Sequence, residues 1–284
     1  MMNSIEQDKG VNGSNSSPAG GGRDGALFII KIGGNIIDDE AKLSSFLQNF
    51  ADIKEKKILV HGGGKLATRV AEAMGIKQQL IDGRRITDAE TLKVVTMVYA
   101  GYINKNIVEE LQALDCNVIG LSGADGNLIR SHKRNNAGID YGFAGDIDEV
   151  NIEFINLLLQ QNIFLVIAPI THDKKGLLLN TNADTIAAEI AKAMASLYNV
   201  SLIYCFEKNG VLINEEDETS SIKKINPGSY NELKEKNIIS AGMIPKLDNA
   251  FAALHAGVQY ISIGNAENLQ QLITHQSGTA IVNE

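Results

Sequence analysis

Two lysines in this chain stand where a freely solvated ammonium is out of place. Lys31 lies near the end of the apolar run from Leu27 to Ile32 and leads into Gly33-Gly34-Asn35. Lys246 follows Gly242-Met243-Ile244-Pro245. Proline is tolerated only in the first turn of a helix, so Lys246 is predicted near a helix N-terminus, where the macrodipole disfavours a cation. Both addresses make sense if the ammonium faces an anion. A second glycine turn, His61-Gly62-Gly63-Gly64-Lys65, also joins an apolar strand to a helical segment. Glycine backbones let N–H groups approach an oxyanion closely, and a helix start beyond them adds favourable potential. Asn180-Thr181-Asn182-Ala183-Asp184 precedes an alanine-rich helix. Asn182 is a natural cap, and Asp184, within the first turn, can face the same crevice and orient the lysines. Arg84 and Arg85 offer a bidentate clamp for a carboxylate. The chemistry these types suit is the handling of phosphate and carboxylate ligands.

Two common nucleotide motifs were weighed against these turns. A Walker A loop is excluded, because Gly64-Lys65 is followed by Leu66 and the required earlier glycine would fall on Leu59. Gly62 to Ala67 does fit G-x-G-x-x-A, with Asp82 about twenty residues on, so an NAD-dependent oxidoreductase of Rossmann type stands as an alternative. It leaves Lys31 and the first glycine turn unexplained. The acidic stretch from Glu215 to Glu218 reads as a solvated loop, and no metal-ligand set is predicted.

The elements that must position these residues alternate along the chain. Leu27–Ile32, Lys57–Val60, Asn117–Leu121, Leu128–Ser131, Ile163–Ala168, Val200–Phe206 and Gln259–Ile263 read as strands. Helices are predicted over Asp39–Ile53, Leu66–Met74, Ile152–Gln161, Ala183–Leu197, Tyr230–Lys236 and Met243–His255, with a last one after Ala266. A long helix runs from Thr87 to Leu114, with Thr87 and Glu90 read as a capping box. The segment from Ala137 to Gly145 looks like a hairpin. Such alternation predicts an α/β fold with a mainly parallel sheet covered by helices on both faces. Residues 1–25 are rich in Gly, Asn and Ser and read as a flexible tail. In open sheets of this kind, ligands bind beyond the carboxyl ends of the strands, where both glycine turns fall.

With 284 residues and a net charge of −8, the chain suits one large domain or two lobes and not a general nucleic-acid or membrane-surface binder. Cys116 and Cys205 are far apart in apolar runs and read as reduced buried thiols. With no long apolar span and no secretory leader, a cytoplasmic location is expected.

Taken together, Lys31-Ile-Gly-Gly, His61-Gly-Gly-Gly, Gly83-Arg-Arg-Ile-Thr, Asn180-Thr-Asn-Ala-Asp and Gly242-Met-Ile-Pro-Lys occur in the order found in the amino-acid kinase family, which the chain resembles from about Leu27 onward. The resemblance implies a three-layer αβα sandwich over residues 26–284. A lobe of about 26–175 would bind an N-acyl-L-glutamate and a lobe of about 176–284 would bind ATP, with Mg2+ held through the phosphates. The implied reaction phosphorylates the γ-carboxylate of N-acetyl-L-glutamate, a step of arginine synthesis, with N-succinyl-L-glutamate as the alternative acceptor. By resemblance Lys31 and Lys246 are the transition-state lysines and Asp184 orients them. Gly63, Gly64, Arg85 and Asn180 bind the acceptor. Gly33, Gly34, the segment Glu207, Lys208, Asn209, Gly210, Val211 and Leu212, and Ile238, Ile239 and Ser240 bind the nucleotide. A homodimer insensitive to arginine is implied, since the tail lacks an amphipathic pattern. Two positions depart from the family pattern. Asn35 follows the first glycines in place of a small apolar residue, and Phe206-Glu207-Lys208-Asn209 stands where many relatives have an Asp-Val-x run.

Overall fold

Side chains of a strand alternate between two faces, and in β1 (Ala26–Ile32) the two sets enter different cores. Leu27 and Ile29 join one core, while Phe28, Ile30 and Ile32 join the other. That parity puts Lys31 on the Leu27 and Ile29 face.

The computed structural model describes residues 23–81, 84–135, 138–214, 216–239 and 242–284. The predicted tail therefore lies, up to residue 22, outside the described residues. After β1 come α1 (Gly34–Ile37), α2 (Glu40–Ala51), β2 (Lys56–His61) and α3 (Gly64–Ala73). A hairpin of β3 (Gln79–Ile81) and β4 (Arg84–Ile86) precedes α4 (Ala89–Thr96), which passes through a π-helical stretch, Met97–Ile103, into α5 (Asn104–Ala113). The middle of the chain forms β5 (Val118–Leu121), β6 (Ile129–Lys133), β7 (Gly145–Val150), α6 (Ile152–Gln160), β8 (Phe164–Ile167), β9 (Ile170–His172) and β10 (Leu178–Asn180). Then follow α7 (Ala183–Met194), β11 (Asn199–Phe206), β12 (Lys224–Ile225), α8 (Pro227–Glu235) and α9 (Ile244–His255). The chain closes with β13 (Tyr260–Asn265), α10 (Leu269–Ile273) and β14 (Thr279–Ile281).

Eight strands form one sheet in the order β12-β14-β13-β11-β1-β2-β8-β5, parallel throughout except between β13 and β14. Helices α6, α7 and α9 cover the Leu27 face, and α2, α3, α4, α5 and α10 cover the other. This is the three-layer αβα arrangement expected from the alternation. β1 lies at the centre, with the carboxyl ends of β2 and β11 on either side of its own. A smaller sheet, β10-β9-β6-β7, packs against α4 and α7, and its β7, β9 and β10 are absent from the predicted strands.

The start of the long helix differs from expectation. The cap is Asp88, whose carboxylate accepts the Thr91 N–H at 2.7 Å. Thr87 is fully buried in a bridge to Gly142, and its hydroxyl donates to the Arg85 carbonyl. An aspartate adjacent to the helix outcompetes a threonine whose hydroxyl is already engaged.

Lys57 is buried in the sheet, yet its ammonium is fully satisfied. It donates to the carbonyls of Phe50, Ala51 and Ile53 at 2.8, 2.9 and 2.8 Å, capping the C-terminal end of α2, where a cation also meets the favourable end of the dipole. Burial pulls its pKa below the ordinary lysine value. Lys57→Met would leave those carbonyls without their donor, so we expect a loss of about 2–4 kcal/mol in urea unfolding. A loss below about 1 kcal/mol would show that the cap is dispensable.

Candidate active site

Three elements converge on one carboxylate. Lys31 projects from β1 toward α7, and its Nζ lies 2.7 Å from Asp184 Oδ1. Lys246, in the first turn of α9, donates from Nζ to Asp184 Oδ2 at 2.7 Å. Asp184 itself is placed by the start of α7: Asn182 caps the helix, its side-chain oxygen accepting the N–H groups of Asp184 and Thr185. A carboxylate in that first turn is favoured by the dipole. Beneath the trio lies Tyr204 of β11, paired in register with Lys31. The Tyr204 hydroxyl donates to the Asp184 carbonyl, and Lys246 Nζ sits 4.9 Å from the centre of its ring.

The electrostatics follow from that geometry. Burial alone would raise the Asp184 pKa, but the ammoniums of Lys246 and Lys31 outweigh it and hold the carboxyl well below the usual range. Burial lowers the Lys246 pKa, opposed chiefly by Asp184. Burial drives Tyr204 far up and Cys205 up to about 12, so neither is an acid or base near neutrality. Two lysines against one aspartate give the trio a formal net charge of +1.

A cleft of about 260 Å³ opens on the Lys31 side. It is lined by Gly34, Gly63, Gly64, Arg85, Asn180 and Asp184 among others. Gly63 has φ near +144°, and a Cβ there would come within 2.3 Å of Ile103 Cδ1, so only glycine fits. The Arg85 guanidinium is anchored to the Gly64 carbonyl at 3.0 Å and the Thr68 hydroxyl at 2.8 Å, and it also donates to Gln78. The Asn180 amide donates to Thr87 Oγ1 at 3.0 Å. Gly33 lies just below, its N–H directed to the Cys205 carbonyl.

A second cleft, of about 320 Å³, opens on the Lys246 side. Glu207, Lys208, Gly210, Val211 and Leu212 line one wall, and Ile238, Ile239 and Met243 the other. Gly210 is required by space: a Cβ would lie 2.5 Å from Ser221 Oγ and 2.6 Å from Thr279 Oγ1. Asn209 stands behind this wall, its N–H given to Glu218, which also pairs with Lys208 at 2.7 Å. Thus part of the acidic stretch read as a solvated loop braces the cleft. Ser240, Gly83 and Asp82 lie outside the described residues. The two family departures touch: the Asn35 amide donates to the Glu207 carboxylate.

Sequence reasoning missed Tyr99 and Arg134, which both line the first cleft. Tyr99 reaches it from the π-helical stretch, which residue spacing does not signal. Arg134 lies just past β6 and pairs with Asp146 of β7.

Fold and site together define an αβα enzyme in which two clefts open on either side of one lysine–aspartate–lysine trio. A profile of the Amino acid kinase family matches residues 26–265, and the chain belongs to that family. It is 56% identical over 259 residues to the acetylglutamate kinase of Cytophaga hutchinsonii, covering 90% of this chain and 98% of that one. The acetylglutamate kinase of Phocaeicola vulgatus is 54% identical over 255 residues, again covering 90% of this chain and 98% of that one. Among solved structures, smu.665 from Streptococcus mutans UA159 superposes with a TM-score of 0.77 at 27% identity, over 91% of this chain and 99% of that one.

Replacing Asp184 by Asn leaves two part-buried ammoniums without their counter-charge. We expect urea unfolding at pH 7 to show a loss of about 3–5 kcal/mol. Asp184 has a folded pKa below its unfolded value, so its contribution is present above the unfolded pKa of about 3.9 and is lost as pH falls toward the folded value. The gap between wild type and Asp184→Asn should therefore narrow below that pH. A gap that is constant from pH 7 to pH 3 would contradict the ionic role.

Proposed function

We infer that this chain catalyses the acetylglutamate kinase reaction, transferring the γ-phosphoryl of ATP to the γ-carboxylate of N-acetyl-L-glutamate in arginine biosynthesis. The observation that carries the reading is the meeting of two clefts at Lys31, Asp184 and Lys246. The acylglutamate would occupy the Lys31-side cleft, its α-carboxylate on Arg85 and its γ-carboxylate toward Lys31. ATP would occupy the Lys246-side cleft, its phosphates toward the trio. The cleft linings support a division of labour between lobes of about 26–175 and 176–284, with Asn180 to Asp184 crossing the boundary. The Rossmann oxidoreductase alternative falls with membership of the kinase family.

The carboxylate acceptor is already ionised at neutral pH, so no proton has to be removed. A γ-carboxylate oxygen forms a bond to the γ-phosphorus as the bond to the β-phosphate oxygen breaks in line. The obstacle is anion meeting anion, about 4 kcal/mol for unit charges ~4 Å apart at an effective dielectric near 20. Lys31 and Lys246 offset that charge where it gathers, and Asp184 keeps both aimed without water reorganisation. Among the described residues no cluster of three His, Cys, Asp or Glu side chains could hold a metal. Mg2+ would ride on the ATP phosphates and water, where it would neutralise phosphate charge.

One observation favours a second acceptor. Arg134 lines the acceptor cleft, and its Asp146 partner engages Nε and Nη2, leaving Nη1 for a further carboxylate such as the acyl tail of N-succinyl-L-glutamate. We also propose a cytoplasmic homodimer. Sizing chromatography tests the oligomeric state.

In a coupled kinase assay, Lys31→Ala and Lys246→Ala should each lower kcat by about 100-fold or more with circular dichroism unchanged. Near-normal turnover in both would refute the mechanism. Arg85→Ala should act mainly on the acylglutamate KM, raising it about tenfold or more. The same assay with both acyl substrates and Arg134→Leu decides the second reading. If succinate is carried, kcat/KM should fall about tenfold more for the succinyl than for the acetyl substrate. An equal fall leaves acetylglutamate as the acceptor.

A further inference from the structure

His61 precedes the acceptor-cleft glycines and is completely buried. Its ring hydrogen bonds fix one tautomer. Nδ1 lies 2.8 Å from the carbonyl oxygen of Gly62, which can only accept, so Nδ1 carries the proton. Nε2 lies 3.2 Å from Asn104 Nδ2. The orientation of that amide is fixed in turn, because Nδ2 also donates to the Val166 carbonyl at 2.9 Å, while Lys105 Nζ donates to Oδ1 at 3.1 Å. Asn104 is itself buried at the junction of the π-helical stretch and α5, against Gly120, where a Cβ would lie 2.0 Å from its Oδ1. A chain of hydrogen bonds thus runs from β8 and α5 through the imidazole to a single carbonyl of the glycine turn. Burial lowers the His61 pKa to about 4, so the ring stays neutral under working conditions.

That carbonyl matters because a trans peptide holds its C=O and N–H antiparallel. With the Gly62 oxygen drawn to the imidazole, the Gly63 N–H is turned to the opposite side. Gly62, Gly63 and Gly64 all line the acceptor cleft. We propose that His61 is a positioning residue for the acceptor: its Nδ1–H holds the Gly62–Gly63 peptide so that the Gly63 N–H faces the cleft as a donor to the acylglutamate γ-carboxylate. The proposal rests on the reaction assigned above and extends it to a residue that touches neither substrate. Donating to the carboxylate this way costs little reorganisation, since the peptide is locked before the ligand arrives.

The test separates positioning from plain structural support. His61→Leu removes the donor to the Gly62 carbonyl. His61→Asn returns a donor near the place of Nδ1. His61→Leu should raise the acylglutamate KM about tenfold or more while the ATP KM stays within about twofold, and His61→Asn should recover most of the loss. Calorimetric titration with N-acetyl-L-glutamate reads the same split without turnover, so failure of the reaction assignment is distinguishable from failure of the proposal. In wild-type protein carrying 15N-labelled histidine, the resonance absent from His61→Asn should report a neutral Nδ1–H ring from pH 6 to 8. The proposal is overturned by an Nε2–H ring, by equal effects on both substrates, or by a drop in melting temperature with unchanged acylglutamate affinity.

Discussion

The architecture depends on one part-buried carboxylate shared by two ammoniums. Without Asp184, Lys31 and Lys246 would repel each other in a poorly solvated place, and each would have reason to swing toward water. With it, both are held at 2.7 Å and one positive charge remains unmatched. That residual charge belongs to the junction of the two clefts. It also sets a local positive field against the chain's net charge of −8. The global field is unfavourable, but a fixed local donor set within a low-dielectric cleft dominates at contact distance.

The demands of this carboxylate propagate outward. Strand β1 must be central, because its carboxyl end has to meet β2 and the glycines of the first cleft on one side and β11 with the wall of the second cleft on the other. Helix α7 must present its N-terminus, so Asn182 caps it, and α9 must begin close by. The Asn35–Glu207 hydrogen bond ties the first glycine turn to the wall of the second cleft. Each of those two positions departs from the family pattern, and the two side chains are in contact.

Much of this was legible from residue type and spacing. Lys31 was conspicuous because a strand buried on both faces has no ordinary place for an ammonium, and the period of two even fixes the face it takes. Lys246 was conspicuous because Pro245 dates the start of its helix. The glycine turns, and the parallel sheet that orients them, followed from alternating strand and helix patterns. What was not legible depends on partners distant in sequence. Thr87 has the type of a helix cap, but its burial against Gly142 gives the role to Asp88. The short strands β9 and β10 are specified by pairing and not by apolar pattern. Tyr99 and Arg134 reach the cleft through a π-helical stretch and the smaller sheet, features that local spacing does not encode.

The central position of β1 has a consequence for how the protein is made. β1 is the first strand among the described residues, yet the neighbour on one of its edges, β11, lies some 170 residues later, as the 172-residue separation of Asn35 and Glu207 reflects. During synthesis, that apolar edge emerges and waits while most of the polypeptide is translated. An unpaired hydrophobic edge is a template for pairing with another chain. The strand that carries Lys31 thus also needs shielding on the ribosome.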